Sequence, residues 1–330
     1  MLRFSATLVT AGMLCAAVGC GSDSEEPQAI QPAQKKPLIV TAFYPVQWLA
    51  DELVGDQAEV VSLTPPGTEP HDLSLTADDL KAMRRADVVL YLGDDFQPNV
   101  QRVVDDLDGS TETLDLLTVP GIDLIDAGEH DHSHDHSHGD DHGNDHGNDH
   151  AHGENDPHIW LSPVDMEAAA DAAASAITTA IPDLSGQVDQ ALPTLQRSLR
   201  DLDAEYRRGL ADCASRVLVT SHAAFGYLAD EYNLEQVPIA GLSPEEEPDP
   251  QTLQSIVEVV NQRDVGTVFF EDALPDDLAR TVADETGAEL SMLSALEFDP
   301  RGSIGPNENY ITVMKGNLDR IEKGLGCTAS

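Results

Sequence analysis

Short apolar runs alternate with amphipathic stretches along the first part of the chain after residue 36. Four runs have the length and composition of strands, and the stretches between them have helical periodicity. The predicted strands are Leu38–Ala42, Glu59–Leu63, Asp87–Leu92 and Thr113–Leu117. The predicted helices are Val46–Val54, a helix capped by Thr76 that ends at Arg85, and Phe96–Leu107. Strands that alternate with helices indicate a parallel α/β sheet.

The same alternation returns in the last third of the chain. The predicted strands there are Arg216–Thr220, Thr267–Phe270 and Glu289–Leu293, and the predicted helices are Ala223–Tyr232, Pro250–Arg263, Asp276–Glu285 and Asn309–Leu325. No repeat of 20–50 residues accompanies this pattern, so the two halves resemble each other in architecture only. The sequence therefore predicts two α/β lobes.

Two helices are predicted between these halves. The first begins at Ser162-Pro163, with Ser as N-cap and Pro in the first turn. The second runs from Leu184 to Ala211 with apolar residues at spacings of three and four, and it would be about 42 Å long. We predict a rigid linker helix at 184–212, an N-terminal lobe at 37–183 and a C-terminal lobe at 213–330.

The first twenty residues have the pattern of a targeting signal. Arg3 precedes an apolar run, Phe4–Val18, that is short for a membrane span. The run ends in Ala17-Val18-Gly19-Cys20, which resembles a lipobox with Cys20 as the lipidated residue. We predict a lipoprotein signal at 1–20 and a flexible tether at 21–36; an ordinary cleaved signal is the alternative. Both place the protein outside the cytoplasm, lipid-anchored to the outer face of the membrane or periplasmic.

Composition narrows the function classes. The chain has 330 residues, 41% of them hydrophobic, which is enough for packed cores. Its formal net charge is −42, which argues against nucleic-acid partners because phosphate binding depends on clustered Lys and Arg. We interpret the acidity mainly as a solvated surface, with cation steering as the alternative. Outside the signal only Cys213 and Cys327 remain, and we expect them to form a disulfide in an oxidising compartment.

Histidine is distributed very unevenly. Nine of the twelve histidines lie in one Asp-, Gly- and Asn-rich tract that we predict to be a disordered loop, 129–155. They are His130, His132, His134, His136, His138, His142, His146, His150 and His152. Such a tract cannot form a core, and it favours weak binding of metal ions such as zinc. A dispensable solvated loop is the alternative.

The other three histidines are far apart in sequence. His71 and His158 lie in predicted loops of the N-terminal half, and His222 follows a predicted strand of the C-terminal half. Ligand groups collect beyond the carboxyl ends of parallel strands, so the three imidazoles are candidates for one site in a cleft between the lobes. Three histidines leave a fourth tetrahedral position on zinc for a carboxylate or water. Each one taken alone could instead be an ordinary core or surface residue.

Four segments carry a specific family resemblance. They are GTEPHDLSLTADDL, NDPHIWLSP, VTSHAAFGYLADEYNL and NENYITVMKGNLDRI. With the acidic His tract, they resemble the zinc-uptake (ZnuA-type) branch of the cluster A-I metal-binding lipoproteins, the receptors of ABC metal importers. The resemblance covers the chain from about residue 37 onward. It implies two α/β lobes joined by a long helix, with the metal between the lobes.

Residue by residue, the resemblance implies that His71, His158 and His222 are the histidine ligands of Zn²⁺. The manganese branch has Glu in the place of His222, so this chain is expected to prefer zinc. Glu308 matches the place of the acidic fourth ligand, with Glu69 and water as alternatives. Asp156 or Glu271 could orient an imidazole, or could be ordinary acids of a loop and a strand end.

The sequence thus predicts a receptor, not an enzyme: a monomer that captures zinc and delivers it to an ABC-type permease, held at the membrane through Cys20. A manganese or other divalent-metal receptor of the same fold is one alternative. A secreted zinc hydrolase is a second, although neither H-E-x-x-H nor G-x-S-x-G is present. A surface zinc buffer or adhesin is a third.

Overall fold

The structure, a computed structural model, describes residues 35–126, 155–246 and 248–328. Residues 36–328 within these ranges form one compact unit with two parallel β-sheets. In chain order its strands are β1 (Leu38–Thr41), β2 (Glu59–Ser62), β3 (Val88–Tyr91), β4 (Glu112–Asp115), β5 (Val217–Thr220), β6 (Glu235–Pro238), β7 (Thr267–Phe270) and β8 (Glu289–Met292). Both sheets are parallel throughout, in the orders β2-β1-β3-β4 and β6-β5-β7-β8.

Ten α-helices flank these sheets in the part of the chain that the structure describes. They are α1 (Tyr44–Val54), α2 (Ala77–Met83), α3 (Pro98–Asp105), α4 (Pro163–Ala180), α5 (Ser185–Gly209), α6 (Gly226–Glu231), α7 (Pro250–Gln262), α8 (Asp277–Thr286), α9 (Pro300–Ser303) and α10 (Tyr310–Leu325). Two parallel sheets with flanking helices confirm the predicted α/β class. None of the described helices is long and apolar enough to cross a membrane.

Central and edge strands differ in composition. The central strands β1, β3 and β5 are buried along their whole length and apolar except for the last residue of β1 and β5, Thr41 and Thr220, as expected for strands covered on both faces. All four edge strands begin with a glutamate, namely Glu59, Glu112, Glu235 and Glu289. A charge at the end of an edge strand disfavours pairing with another chain. Strand β6 escaped sequence prediction because its sequence, EQVP, lacks an apolar run and ends in proline.

The long helix α5 joins the two lobes. Its buried residues form one stripe, namely Val188, Leu195, Leu199, Leu202 and Tyr206. The stripe packs mainly against α4, and α5 also contacts α1 and α10. With 25 residues, α5 is about 38 Å long, two residues shorter at its C-terminal end than predicted.

One apolar core runs through both lobes. It includes Ile39 and Leu90 of the first sheet, Leu218 of the second, and Tyr310 in α10. Two buried hydrogen bonds of 2.7 Å reinforce it: Trp160 Nε1 donates to the Ala295 carbonyl, and Tyr310 Oη donates to the Trp160 carbonyl. The lobes are therefore packed together and not merely tethered by α5. The structure also joins Cys213 to Cys327 in a disulfide.

Candidate metal centre

Three imidazoles and one carboxylate meet in the interior between the lobes. The Oε1 atom of Glu297 lies 3.4 Å from Nε2 of His71, 3.3 Å from Nε2 of His158 and 3.2 Å from Nε2 of His222. One ligand atom from each residue lies within 4.8 Å of all the others. His158 and His222 are fully buried, Glu297 is 2% exposed, and the side chain of His71 is 11% exposed.

The separations from the Glu297 oxygen match those in a tetrahedral zinc site. Ligand atoms about 2.05 Å from a tetrahedral ion are about 3.3 Å apart, which is the distance from the Glu297 oxygen to each imidazole nitrogen. Two buried atoms of the cluster, Nε2 of His158 and Oε2 of Glu297, make no hydrogen bond among the described residues. Nitrogen donors with a single carboxylate suit zinc better than oxygen-preferring cations. The residues therefore fit a zinc ion.

Strand ends bring these side chains together. His71 lies in the loop after β2, His222 two residues after β5, and Glu297 in the segment after β8. His158 precedes a 3₁₀ turn, Ile159–Leu161, that leads into α4. The sequence predicted a helix from residue 223, but α6 begins at Gly226, because residues 221–225 form bends and irregular backbone around His222.

His222 is fixed by its side chain and by its backbone. Its Nδ1 lies 2.6 Å from Oε1 of Glu271, which follows β7 and is 4% exposed. The His222 carbonyl accepts hydrogen bonds from Oγ1 of Thr220 at 2.7 Å and from Nε2 of Gln236 at 3.1 Å. A carboxylate at Nδ1 holds the proton there and directs Nε2 toward the ion. Glu271 thus orients the imidazole, as one of the two sequence interpretations had it.

His158 has an equivalent carboxylate partner. Its Nδ1 lies 2.6 Å from Oδ1 of Asp156, and both side chains are fully buried. The same Asp156 oxygen accepts the backbone N–H of His158 at 2.9 Å. Tyr227 Oη, from the C-terminal lobe, donates to the Asp156 carbonyl at 2.8 Å. His158 is therefore held by residues of both lobes.

His71 is held differently. No carboxylate contacts its Nδ1 among the described residues, and its ring packs edge-on against Phe96 at 4.6 Å. Its loop is fixed through the buried amide of Gln97, which donates to the Pro70 carbonyl at 3.0 Å and to Oγ1 of Thr64 at 3.1 Å. The His71 ring is thus positioned by packing, whereas the other two rings are held by charged hydrogen bonds.

Burial and charge oppose each other in this cluster. Burial lowers the pKa of His71 below its usual value despite the nearby Glu297 carboxylate. Burial also disfavours the charged form of His222, but the Glu271 and Glu297 carboxylates outweigh it and hold the pKa well above its usual range. Burial would raise the pKa of Glu297, yet the three imidazoles, His222 above all, hold it well below its usual range. A positively charged partner is therefore favoured at this carboxylate.

The structure places Glu297 beside the three imidazoles, and not Glu308 or Glu69. Oε2 of Glu308 accepts a hydrogen bond from Oγ1 of Thr312 at 2.6 Å, so this carboxylate belongs to the start of α10. Glu69 accepts the backbone N–H of Asp72 at 3.0 Å, and it too is outside the cluster. Burial, then repulsion from Glu297, raises the pKa of Glu69 to about 7.

Sequence analysis missed Glu297, although its position carried a signal. It follows a predicted strand, as His222 does, and it is an acidic residue within the otherwise apolar stretch Ala295–Phe298. The rule that ligand groups gather beyond strand ends applies to it without change. The lipidation candidate Cys20 and the nine histidines of the tract lie outside the described residues.

Comparison with known proteins also points to zinc binding and zinc uptake. The sequence model of the family described as "Zinc-uptake complex component A periplasmic" matches residues 39–324. The chain is 32% identical over 323 residues to the high-affinity zinc uptake system protein ZnuA of Bacillus subtilis, and the match covers 98% of each chain. It is also 32% identical over 290 residues to the zinc-binding lipoprotein AdcA of Streptococcus pneumoniae.

The match to AdcA covers 86% of this chain and 55% of the relative, so the chain spans about half the length of that protein. Among solved structures, the Zn(II)-bound ZnuA-like domain of Streptococcus pneumoniae AdcA is similar, with a TM-score of 0.70 and 30% identity. That similarity covers 88% of this chain and 99% of the domain.

Proposed function

Because the chain belongs to the family of zinc-uptake complex component A, we propose that it is an extracytoplasmic receptor that binds Zn²⁺ and delivers it to an ABC-type permease. The ligands in this proposal are Nε2 of His71, His158 and His222 together with Oε1 of Glu297. The single observation that carries the proposal is the spacing of these atoms, with the carboxylate oxygen 3.2–3.4 Å from each nitrogen.

The chemistry of the cluster supports zinc over the alternatives. Manganese, magnesium and calcium favour oxygen ligands, whereas three of these four ligand atoms are imidazole nitrogens. A zinc hydrolase would need an open position for water, and the Glu297 oxygen close to the three nitrogens supports a carboxylate in that position instead. The family consists of uptake components, which supports a receptor and not an enzyme.

The membrane anchor and the partner complete the proposal. We propose that Cys20 carries the lipid and that the receptor acts as a monomer beside a permease subunit. The lipobox-like sequence supports the anchor, and the zinc-binding lipoprotein relatives support the outer location. The nine-histidine tract would bind zinc weakly and supply it to the central site.

Two measurements test this function. Purified protein lacking residues 129–155 should bind one zinc ion tightly in competition with a chelator, and a His222→Ala variant of it should lose most of that affinity. In cells without another zinc importer, deleting the gene should prevent growth under chelation. The wild-type gene should restore growth, and the His222→Ala gene should not. Normal growth of the deletion strain would refute transport, and absence of bound zinc would refute the site.

A further inference from the structure

A cavity of about 240 Å³ lies against the cluster. Its walls come from both lobes: Gln47 on α1, Ser62, Thr64 and Pro66 at and after the end of β2, and Glu297 with its neighbours after β8. Of the four cluster residues, Glu297 alone lines it within the described part of the chain. The cavity therefore borders the cluster on the side of Glu297 and not on the side of the imidazoles, and the Glu297 side chain between them is 1% exposed.

The two oxygens of Glu297 have different surroundings. Oε1 lies within 3.4 Å of all three imidazole nitrogens. Oε2 is buried and makes no hydrogen bond among the described residues. A buried carboxylate oxygen without a partner is energetically costly, and it is available to an arriving cation. A small movement of the Glu297 side chain would bring this oxygen to the cavity, so an ion there would meet Glu297 before the imidazoles.

The size and lining of the cavity suit an ion that is losing its water. At about 30 Å³ per water molecule, it holds about eight waters, enough for a divalent cation with its hydration shell. Gln47 and Ser62 line the cavity, and their amide and hydroxyl groups can hydrogen-bond that shell. A dry apolar cavity would instead impose the whole cost of dehydration at once.

Charge on the cavity wall does not exclude a cation. Arg301 is the one basic residue of the lining, and its guanidinium forms a paired contact with both carboxylate oxygens of Asp299. This pairing compensates the positive charge locally. The Glu297 carboxylate then leaves the lining with a net negative charge.

We propose that zinc enters and leaves the buried cluster through this cavity, and that Glu297 is the first of the four ligands it meets. The inference rests on the proposed function, because it gives the route to that same site. The competing route passes His71, whose side chain is 11% exposed. Blocking the cavity should slow both the association and the dissociation of zinc. It should leave the zinc-free and zinc-bound states unchanged, and the affinity should therefore stay the same.

Two substitutions fill the cavity from different walls. Gln47→Phe adds bulk from α1, and Pro66→Phe adds it from the loop after β2. The matched control is Pro120→Phe, at an exposed proline of the same lobe that does not line the cavity. Zinc association can be followed by stopped-flow fluorescence of Trp160, whose ring lies 4.9 Å from that of His158. Dissociation can be followed with an excess of a chromophoric chelator.

We expect both filled variants to slow association and dissociation by about tenfold, with the equilibrium dissociation constant within about twofold of wild type. Pro120→Phe should match wild type. Arg301→Gln, which removes charge without adding bulk, should speed association at low salt, and this gain should vanish at high salt.

Different results would overturn the cavity route and the zinc-binding function on which it rests. Unchanged rates in both filled variants, with intact affinity, would overturn the cavity route and assign exchange to the His71 side. A large loss of affinity without a matched slowing of both rates would also overturn it. Absence of tight zinc binding by the wild-type protein would instead overturn the function itself.

Discussion

Glu271 allows a direct measurement of what a carboxylate behind an imidazole contributes to zinc affinity. It accepts the Nδ1–H of His222 at 2.6 Å and is 4% exposed, so solvent cannot replace it. Glu271→Gln keeps the shape and the acceptor but removes the charge. A hydrogen bond to a charged group contributes about 1.5–3 kcal/mol and a neutral one about 0.5–1.5 kcal/mol. The difference, about 1–2 kcal/mol, corresponds to roughly 5- to 30-fold weaker zinc binding.

The pH dependence distinguishes this positioning role from a merely structural one. Burial opposes protonation of His222, but Glu271 leads the causes that raise its pKa. Protons therefore compete with zinc for this imidazole in the wild type near neutral pH. In Glu271→Gln the pKa of His222 falls, so the competition shifts to lower pH. The affinity difference between variant and wild type should be largest near pH 8 and should shrink toward pH 6.

The assay is chelator competition for zinc at pH 6, 7 and 8. Glu285→Gln, at an exposed glutamate of α8, is the matched control and should bind as wild type does. Asp156→Asn repeats the test at His158, where the same 2.6 Å contact occurs. Wild-type affinity of Glu271→Gln at pH 8 would refute the reasoning, as would a deficit that is the same at every pH.

Three further predictions concern stability and acid sensitivity. Replacing Cys213 and Cys327 by serine removes a cross-link between residues 114 positions apart, so urea unfolding of the oxidised protein should show a loss of about 5 kcal/mol; an unchanged midpoint would contradict this. Burial raises the pKa of Glu69 to about 7, above its unfolded value, so the zinc-free protein should lose stability as pH rises toward and through 7. Glu69→Gln should therefore melt higher than wild type at pH 8 but not at pH 4, and equal melting temperatures at pH 8 would contradict this. Because the pKa of His222 is raised, zinc affinity should start to fall above the ordinary histidine value of about 6.5, and chelator competition that gives one affinity from pH 8 to pH 5 would contradict this.

Much of the fold could be predicted because its central strands consist mainly of buried apolar residues. Strands such as β1 and β5 are buried on both faces, and a parallel sheet then leaves a continuous apolar run in the sequence. The edge strand β6 has no such run, because its pairing comes from β5 and not from its own composition. A local sequence pattern predicts a strand whose own residues form an apolar run. It misses a strand whose formation depends on pairing with a neighbouring strand.

The residues of the candidate site also fall into those that the sequence reveals and one that it does not. His71, His158 and His222 were conspicuous because histidine is rare outside the tract. Glu297 is one of 60 acidic residues, so its type gave no contrast, and only its place after a strand could have distinguished it. Glu308 was chosen because it matches an acidic place in the family resemblance, but a place along the chain does not show which of two carboxylates folds inward.

The shared core limits how the proposed receptor could work. Separating the lobes as rigid bodies would pull Trp160 from the Ala295 carbonyl and would expose side chains such as Tyr310 that are now completely dry. Wetting that apolar surface opposes such a separation. In the proposed function, loading and unloading would therefore rely on local rearrangement around a body that stays shut, and the proposed permease would recognise small changes at its rim.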